Sequence, residues 1–165
     1  ITDETGTGVV VYSTNPTITK PNIVGTATND SASSGSVGEY IESVVLQGSA
    51  TSLTTNTAKT ITSISLTAGD WDITGCVGFI PNTTTTVGQV TASISTTTNT
   101  VGTAPKGFSQ VVYAGTVTSG AHCIQPVSTM RVSLSGTTTY YIVGLAAFGT
   151  STMTAYGHIS ARRVR

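Results

Sequence analysis

Charge is what this sequence has least of. Lys, Arg, Asp and Glu together make up 8% of its 165 residues, against a usual quarter or so. Seven basic and seven acidic side chains cancel to a net charge of zero. The scarcity excludes a charge-driven disordered chain. It also argues against a nucleic-acid partner, which would require a broad basic footprint. The basic residues gather only at the extreme end, in Ala161-Arg162-Arg163-Val164-Arg165. Strong helix formers are few, which argues against a helical protein. No apolar run approaches the roughly 20 residues that cross a bilayer as a helix. No signal-peptide pattern opens the chain, and its start at Ile1 reads as the start of a piece of a longer protein. Two cysteines, Cys76 and Cys123, are too few for a disulfide framework. Each sits among apolar neighbours, so two buried free thiols are expected rather than a bridge.

Carboxylates are missing from more than half of the chain. The seven are Asp3, Glu4, Asp30, Glu39, Glu42, Asp70 and Asp72, and none follows. Most glycoside hydrolysis needs a carboxylate pair roughly 5 to 9.5 Å apart. Asp70 and Asp72 could share one strand face, but such a pair more commonly just flanks a buried Trp at a strand start. His122 and His158 have no acid downstream to orient them. Cys123 beside His122 points to the opposite face of any strand that holds both. No Gly-rich phosphate loop with Lys occurs, and the His, Cys and acidic residues lack metal-ligand spacing. No enzymatic activity, cofactor or metal is expected.

Thr, Ser, Gly and Val fill the space that charge leaves. Solubility must come from hydroxyls and amides, a pattern that suits a rigid extracellular or virion protein. The organising stretch is 59–80. Ile61, Ile64 and Leu66 form an imperfectly alternating apolar run, Ala68-Gly69-Asp70 a turn, and Trp71, Ile73, Cys76 and Val77 a second run. Two such runs around a Gly-containing turn predict an antiparallel hairpin. Trp71, the single Trp, is expected to cap a core rather than stack on a ligand. Further strands are predicted over 40–46, 87–95, 108–117, 122–127, 130–134, 140–148 and 153–164. About eight short strands with regular turn signals predict an antiparallel β-sandwich or jelly roll. The run 140–148 is apolar on both faces, which implies cover on both sides; a second subunit is the expected second cover.

Residues 1–38 differ from the rest. They combine a polar opening, the apolar burst Val9-Val10-Val11-Tyr12, and Pro16 and Pro21, which forbid a central strand or helix there. A Ser/Gly/Asp linker follows. The expected organisation is therefore a neck and linker over 1–38 and a sandwich head over 39–165.

The segment Asp3-Glu4-Thr5-Gly6-Thr7-Gly8-Val9-Val10-Val11-Tyr12, with Ser13-Thr14-Asn15-Pro16-Thr17-Ile18 and Pro21-Asn22-Ile23, resembles one that recurs before the distal domain of tailed-bacteriophage tail-fibre and tailspike proteins. The ending Tyr156-Gly157-His158-Ile159-Ser160-Ala161-Arg162-Arg163-Val164 resembles the last strand of such distal domains. The resemblance implies a homotrimer joined to the rest of the tail through its N-terminal segment. It implies a virion location at the tail tip, after assembly in the host cytoplasm. It also implies attachment to a bacterial surface glycan or outer-membrane protein. Tumour-necrosis-factor-like packing of the head enters as fold-level analogy. The iron-holding His-x-His repeats of some fibres are absent.

Receptor contacts are expected on loops, where a rigid scaffold usually carries binding. Amides, hydroxyls and aromatic faces are what read a sugar. The candidates are Asn82, Asn99, Lys106, Phe108, Gln110, Tyr113, His122 and Gln125. The rival readings are a structural knob or decoration domain without a receptor and, disfavoured by the missing carboxylates, a polysaccharide-degrading spike.

Overall fold

The computed structural model describes residues 25, 27, 28, 30–118 and 122–165, with 115–118 through their backbone alone. The chain divides into two compact units, Ile1–Asp30 and Ser31–Arg165. The expected neck falls almost wholly outside the described residues. Residues 31–38, read above as linker, belong to the second unit. There the Gly38 N–H donates to the Arg163 carbonyl at 3.0 Å, and the Gly35 N–H donates to the Glu39 carboxylate at 2.8 Å.

The described residues of the second unit form nine strands: β1 (Tyr40–Val45), β2 (Thr51–Ser52), β3 (Lys59–Leu66), β4 (Gly69–Pro81), β5 (Thr86–Ser95), β6 (Phe108–Thr118), β7 (Cys123–Leu134), β8 (Thr138–Gly149) and β9 (Met153–Arg163). One sheet has the order β1-β9-β4-β7, with β2 also on β9, and the other has the order β3-β8-β5-β6. All pairings are antiparallel. From β2 onward successive strands alternate between the layers except at β5 and β6, which are the one consecutive pair that hydrogen-bond to each other. This interleaving is that of a jelly roll, in agreement with the expected fold class.

The predicted hairpin over 59–80 is not one. β3 pairs with β8, whereas β4 pairs with β7 and β9 in the opposite sheet. Alternation tells which face of a run is apolar, but not whether two runs lie side by side or face each other. Here they face each other across the core. The predicted strands 122–127 and 130–134 are one strand, β7, broken only by a register shift opposite Thr74.

The imperfect alternation of β3 has a cause. Thr60 pairs with Val143 and Thr62 with Ile142, so Ile61 is the extra residue of a β-bulge. The bulge resets the facing of the strand. Ile61, Ile64 and Leu66 are all buried as a result. On β4 the odd positions Trp71, Ile73, Val77 and Phe79 are each 0% exposed and meet Ile142 and Ala146 of β8 in one core. Burying side chains of this size contributes roughly 1.5–3 kcal/mol each.

One end of the sandwich is closed by Arg163. Its Nε donates to Glu39 Oε2 at 2.9 Å, its Nη1 to the Ala68 carbonyl at 2.7 Å and its Nη2 to Thr67 Oγ1 at 2.6 Å. The guanidinium lies 4.3 Å from the centre of the Trp71 ring, and the Trp71 Nε1–H donates to the Thr67 carbonyl at 3.0 Å. Trp71 therefore caps the core, as its position in the sequence suggested. Gly69 takes φ +135, and a Cβ there would collide with Arg163 Nη1. Only glycine fits this corner.

Both Arg163 and Glu39 are buried, so removing one partner strands the other. Arg163→Met should cost about 3 kcal/mol or more, and adding Glu39→Gln should recover part of that loss. Chemical denaturation of the two single variants and the double variant checks this; strictly additive losses would refute the coupling.

Acid should act on the same end. Burial pushes the Glu39 carboxyl up, but the Gly35 N–H and the Arg163 hydrogen bond and charge together hold it below its ordinary value. The Ser133 hydroxyl, with Arg131 and Arg165, outweighs burial and lowers Asp70 likewise. Depressed carboxylates stabilise fully above the unfolded value, about 4. Their contribution is lost as pH falls through the lower folded values. Thermal unfolding should therefore be nearly flat in pH above that point and drop steeply below it. A midpoint that held level well below pH 4 would contradict this account.

Candidate functional site

The longest connection that is described throughout is the 96–107 loop between β5 and β6. Its residues are Thr, Asn, Val, Gly, Ala, Pro and Lys, too polar and broken to extend either strand. Specific anchors fix it instead. Asn99 sits at φ 51. Its Oδ1 accepts from the Thr60 N–H at 2.9 Å, and its own N–H donates to Thr60 Oγ1 at 2.8 Å. The Gly102 N–H donates to Ser93 Oγ at 3.0 Å. The Ile94 N–H donates to the Gly107 carbonyl at 2.7 Å, and the Gly107 N–H to Ser128 Oγ at 3.0 Å.

These anchors explain the two-sided run of β8. Ile142 and Ala146 face the core, and Val143, on the other face, is also 0% exposed. Its strand neighbours are Thr60 and Ser93, which are the residues that hold the loop. The second cover over Val143 is thus the chain's own loop, and no second subunit is needed there. Leu145 and Ala147 on the same face remain half-buried.

Where β6 has not yet begun, the loop leaves an opening between the layers. A cleft of about 490 Å³ lies there. Its inner wall is Ile94, Met130, Val132 and Tyr140. Its rim carries Thr97, Thr100, Thr103 and Lys106. Tyr140 is 5% exposed, and burial raises the pKa of its hydroxyl. Tyr140 was read in the sequence only as part of an apolar run. The one signal that could have marked it is a phenol at the mouth of a core strand, next to a long hydroxyl-rich loop.

The eight candidate residues do not form one surface. Lys106 lines the cleft, Asn99 anchors its loop, and Phe108 opens β6 half-buried. Gln110 is exposed, and its Nε2 donates to Thr91 Oγ1 at 3.2 Å. Tyr113 and Gln125 turn into the β6/β7 edge of the sandwich. There the Tyr113 hydroxyl and Gln125 Nε2 donate to Cys123 Sγ at 3.6 and 3.1 Å. Gln125 is buried and accepts from the Ser109 hydroxyl at 3.0 Å, so it belongs to the interior and not to a loop surface. The Cys123 contact and burial both raise the Tyr113 pKa. Asn82 and His122 lie at the far end, in the β4–β5 and β6–β7 connections. His122 meets the Tyr156 ring edge-on, with centres 6.4 Å apart.

Of the two carboxylates near Trp71, Asp70 is held by arginines. Asp70 accepts from Arg131 at 3.3 Å and from Arg165 at 2.6 Å. Asp72 stands between Arg131 and Arg162 on the neighbouring strands. The cysteines are free but half-buried, not buried as expected. Phe79, the strand partner of Cys123, faces the core, and Cys76 on the same strand faces outward. The two thiols thus lie on opposite faces of one sheet and cannot bridge. Cys76 Sγ lies 3.3 Å from His158 Nδ1.

The thiols should therefore differ in reactivity. Cys76 has an imidazole beside it on an outer face, whereas Cys123 is covered by Tyr113 and Gln125. Iodoacetamide should label native Cys76 well before Cys123, with both labelled after denaturation. Peptide mass spectrometry reads the order; faster labelling at Cys123 would contradict the placement.

Comparison with known proteins adds little to this geometry. No family model matches the sequence, and no curated protein matches it. Among solved structures, a chain in the "Structure of infectious bursal disease virus Gx strain" is similar, at 13% identity and a TM-score of 0.40 over 76% of this chain. The match spans 30% of that longer chain. The jelly-roll assignment rests on the strand order, and this chain is an antiparallel β-sandwich of that type.

Proposed function

We propose that this chain is the distal part of a bacteriophage tail fibre and that its sandwich head attaches to a glycan on the bacterial surface. The observation that carries the proposal is the hydroxyl-rimmed cleft, held open by an anchored loop on a rigid two-layer scaffold. Sugars are read by hydroxyl and amide groups beside an apolar or aromatic wall, and the cleft supplies both. The likeness of residues 3–23 to the segment that precedes phage distal domains supports the virion setting.

Association into a trimer belongs to the same reading. The outer face of the β1-β9-β4-β7 sheet supports it. Tyr40 and Val44 stand on β1 at one edge of that sheet, and Ile124 stands on β7 at the other. Tyr40, Val44 and Ile124 are 42%, 50% and 56% exposed. Exposed apolar side chains of this size are what a partner subunit can cover.

The test uses the full chain. Light scattering should return a trimer, and purified bacterial lipopolysaccharides and capsular polysaccharides should retain it where outer-membrane proteins do not. Retention by none of these glycans would sink the attachment reading in favour of a structural knob. A stable monomer would sink the trimer.

A further inference from the structure

We infer that the cleft under the 96–107 loop takes a single sugar unit bearing an anionic group, with the anion at Lys106 and the ring against Tyr140. The inference rests on the proposed attachment to a surface glycan and names the chemical class of its ligand.

Charge gives the first argument. Among the described residues, Lys106 is the one charged side chain that lines the cleft, and no Asp or Glu lines it. Lys106 is exposed and makes no ion pair with any described residue, unlike Arg131, Arg163 and Arg165. In a chain this poor in charge, an unpaired cation at the mouth of a cleft is a distinct feature. By strand alternation, Arg131 turns to the opposite face from its neighbours Met130 and Val132, which wall the cleft. The local field is that of one ammonium group.

Tyr140 gives the second argument and is independent of the first. It is 95% buried, taken from its 5% exposure. Its hydroxyl makes no hydrogen bond with a described residue. No fully buried side-chain oxygen among the described residues lacks a partner. The hydroxyl therefore touches solvent, through the cleft that Tyr140 lines. Buried phenols usually have a partner. Here the place of the partner is open to a ligand oxygen.

Size and surface agree. At about 490 Å³ the cleft falls within the range of small-ligand sites. Ile94, Met130 and Val132 offer an apolar floor for the C–H face of a pyranose, and the hydroxyls of Thr97 and Thr103 offer contacts to its ring substituents. A charge-assisted bond to Lys106 is stronger than a neutral one, so the anionic sugar is preferred over its neutral counterpart. A carboxylate and a phosphate both satisfy an ammonium group, and the probes separate them.

The experiment titrates the full chain by calorimetry with methyl β-glucuronide, glucose 6-phosphate and methyl β-glucoside. At least one anionic probe should bind about tenfold more tightly than the glucoside. Lys106→Gln should bring that ratio close to one. Tyr140→Phe keeps the ring, and it should weaken all three probes several-fold while leaving the fold unchanged by circular dichroism. Equal binding of the three probes, no binding of any, or a ratio untouched by Lys106→Gln overturns the inference. The attachment reading is judged apart from this. If polysaccharide still retains the chain and the retention survives both substitutions, surface attachment stands and the cleft is not its site.

Discussion

One buried guanidinium holds the end of this sandwich together. Arg163 lies on the last strand, yet it reaches the residue before the first strand, Glu39, and the corner between β3 and β4 through Thr67 and Ala68. It also covers the face of Trp71. This jelly roll has no disulfide between its layers and few hairpins, so the strand ends are fixed by other means. A planar guanidinium suits that task, because its donors are rigidly spaced and each of its three nitrogens donates to an oxygen here. The cost of burying it is offset only because Glu39 is buried with it. The neighbouring cluster of Asp70, Arg131 and Arg165 does the same work closer to solvent.

The concentration of charge at that end is a counterpart of its scarcity elsewhere. A sandwich whose surface is largely Thr and Ser has little long-range field. A partner of such a surface would be recognised at contact distance, by hydroxyls and shape. The 96–107 loop works in this regime. Its backbone N–H groups donate to the hydroxyls of Thr60, Ser93 and Ser128, all short polar side chains. A loop tied at three places presents its rim in one geometry, which lowers the ordering cost of binding.

Much of the fold could be read from the sequence, because it depends on local pattern. The strands over β1, β5, β8 and β9 follow from alternation and turn residues, and Trp71 as a core cap follows from its place at a strand start. The layer of each strand could not be read. Runs 59–66 and 69–81 fit a hairpin and a corner equally well until Arg163, about a hundred residues on, binds the carbonyl of Ala68. The bulge at Ile61 was visible only as a flaw in the pattern. For the candidate site, Lys106 was found because it lies in an evidently polar loop. Tyr140 was missed because its neighbours Ile142 and Val143 mark it as core. Gln125 was misplaced because a polar residue near a turn usually lies outside, and nothing local reveals that Ser109 and Cys123 would meet it within.

The apolar run of β8 shows how a sound inference can reach the wrong partner. Two apolar faces do require two covers, and both exist. One is the opposite sheet and the other is the chain's own loop over Val143. A protein that folds its longest described loop back over the outer face of a sheet gains burial there and also a fixed rim above the cleft. The same anchors, Thr60 with Asn99 and Ser93 with Gly102, therefore serve stability and shape together. Loosening them would expose Val143 and unmake the rim of the cleft in one step. A ligand that contacted Thr97, Thr103 and Lys106 at once would favour the anchored arrangement that covers the sheet, so binding at the cleft would be linked to order in the loop.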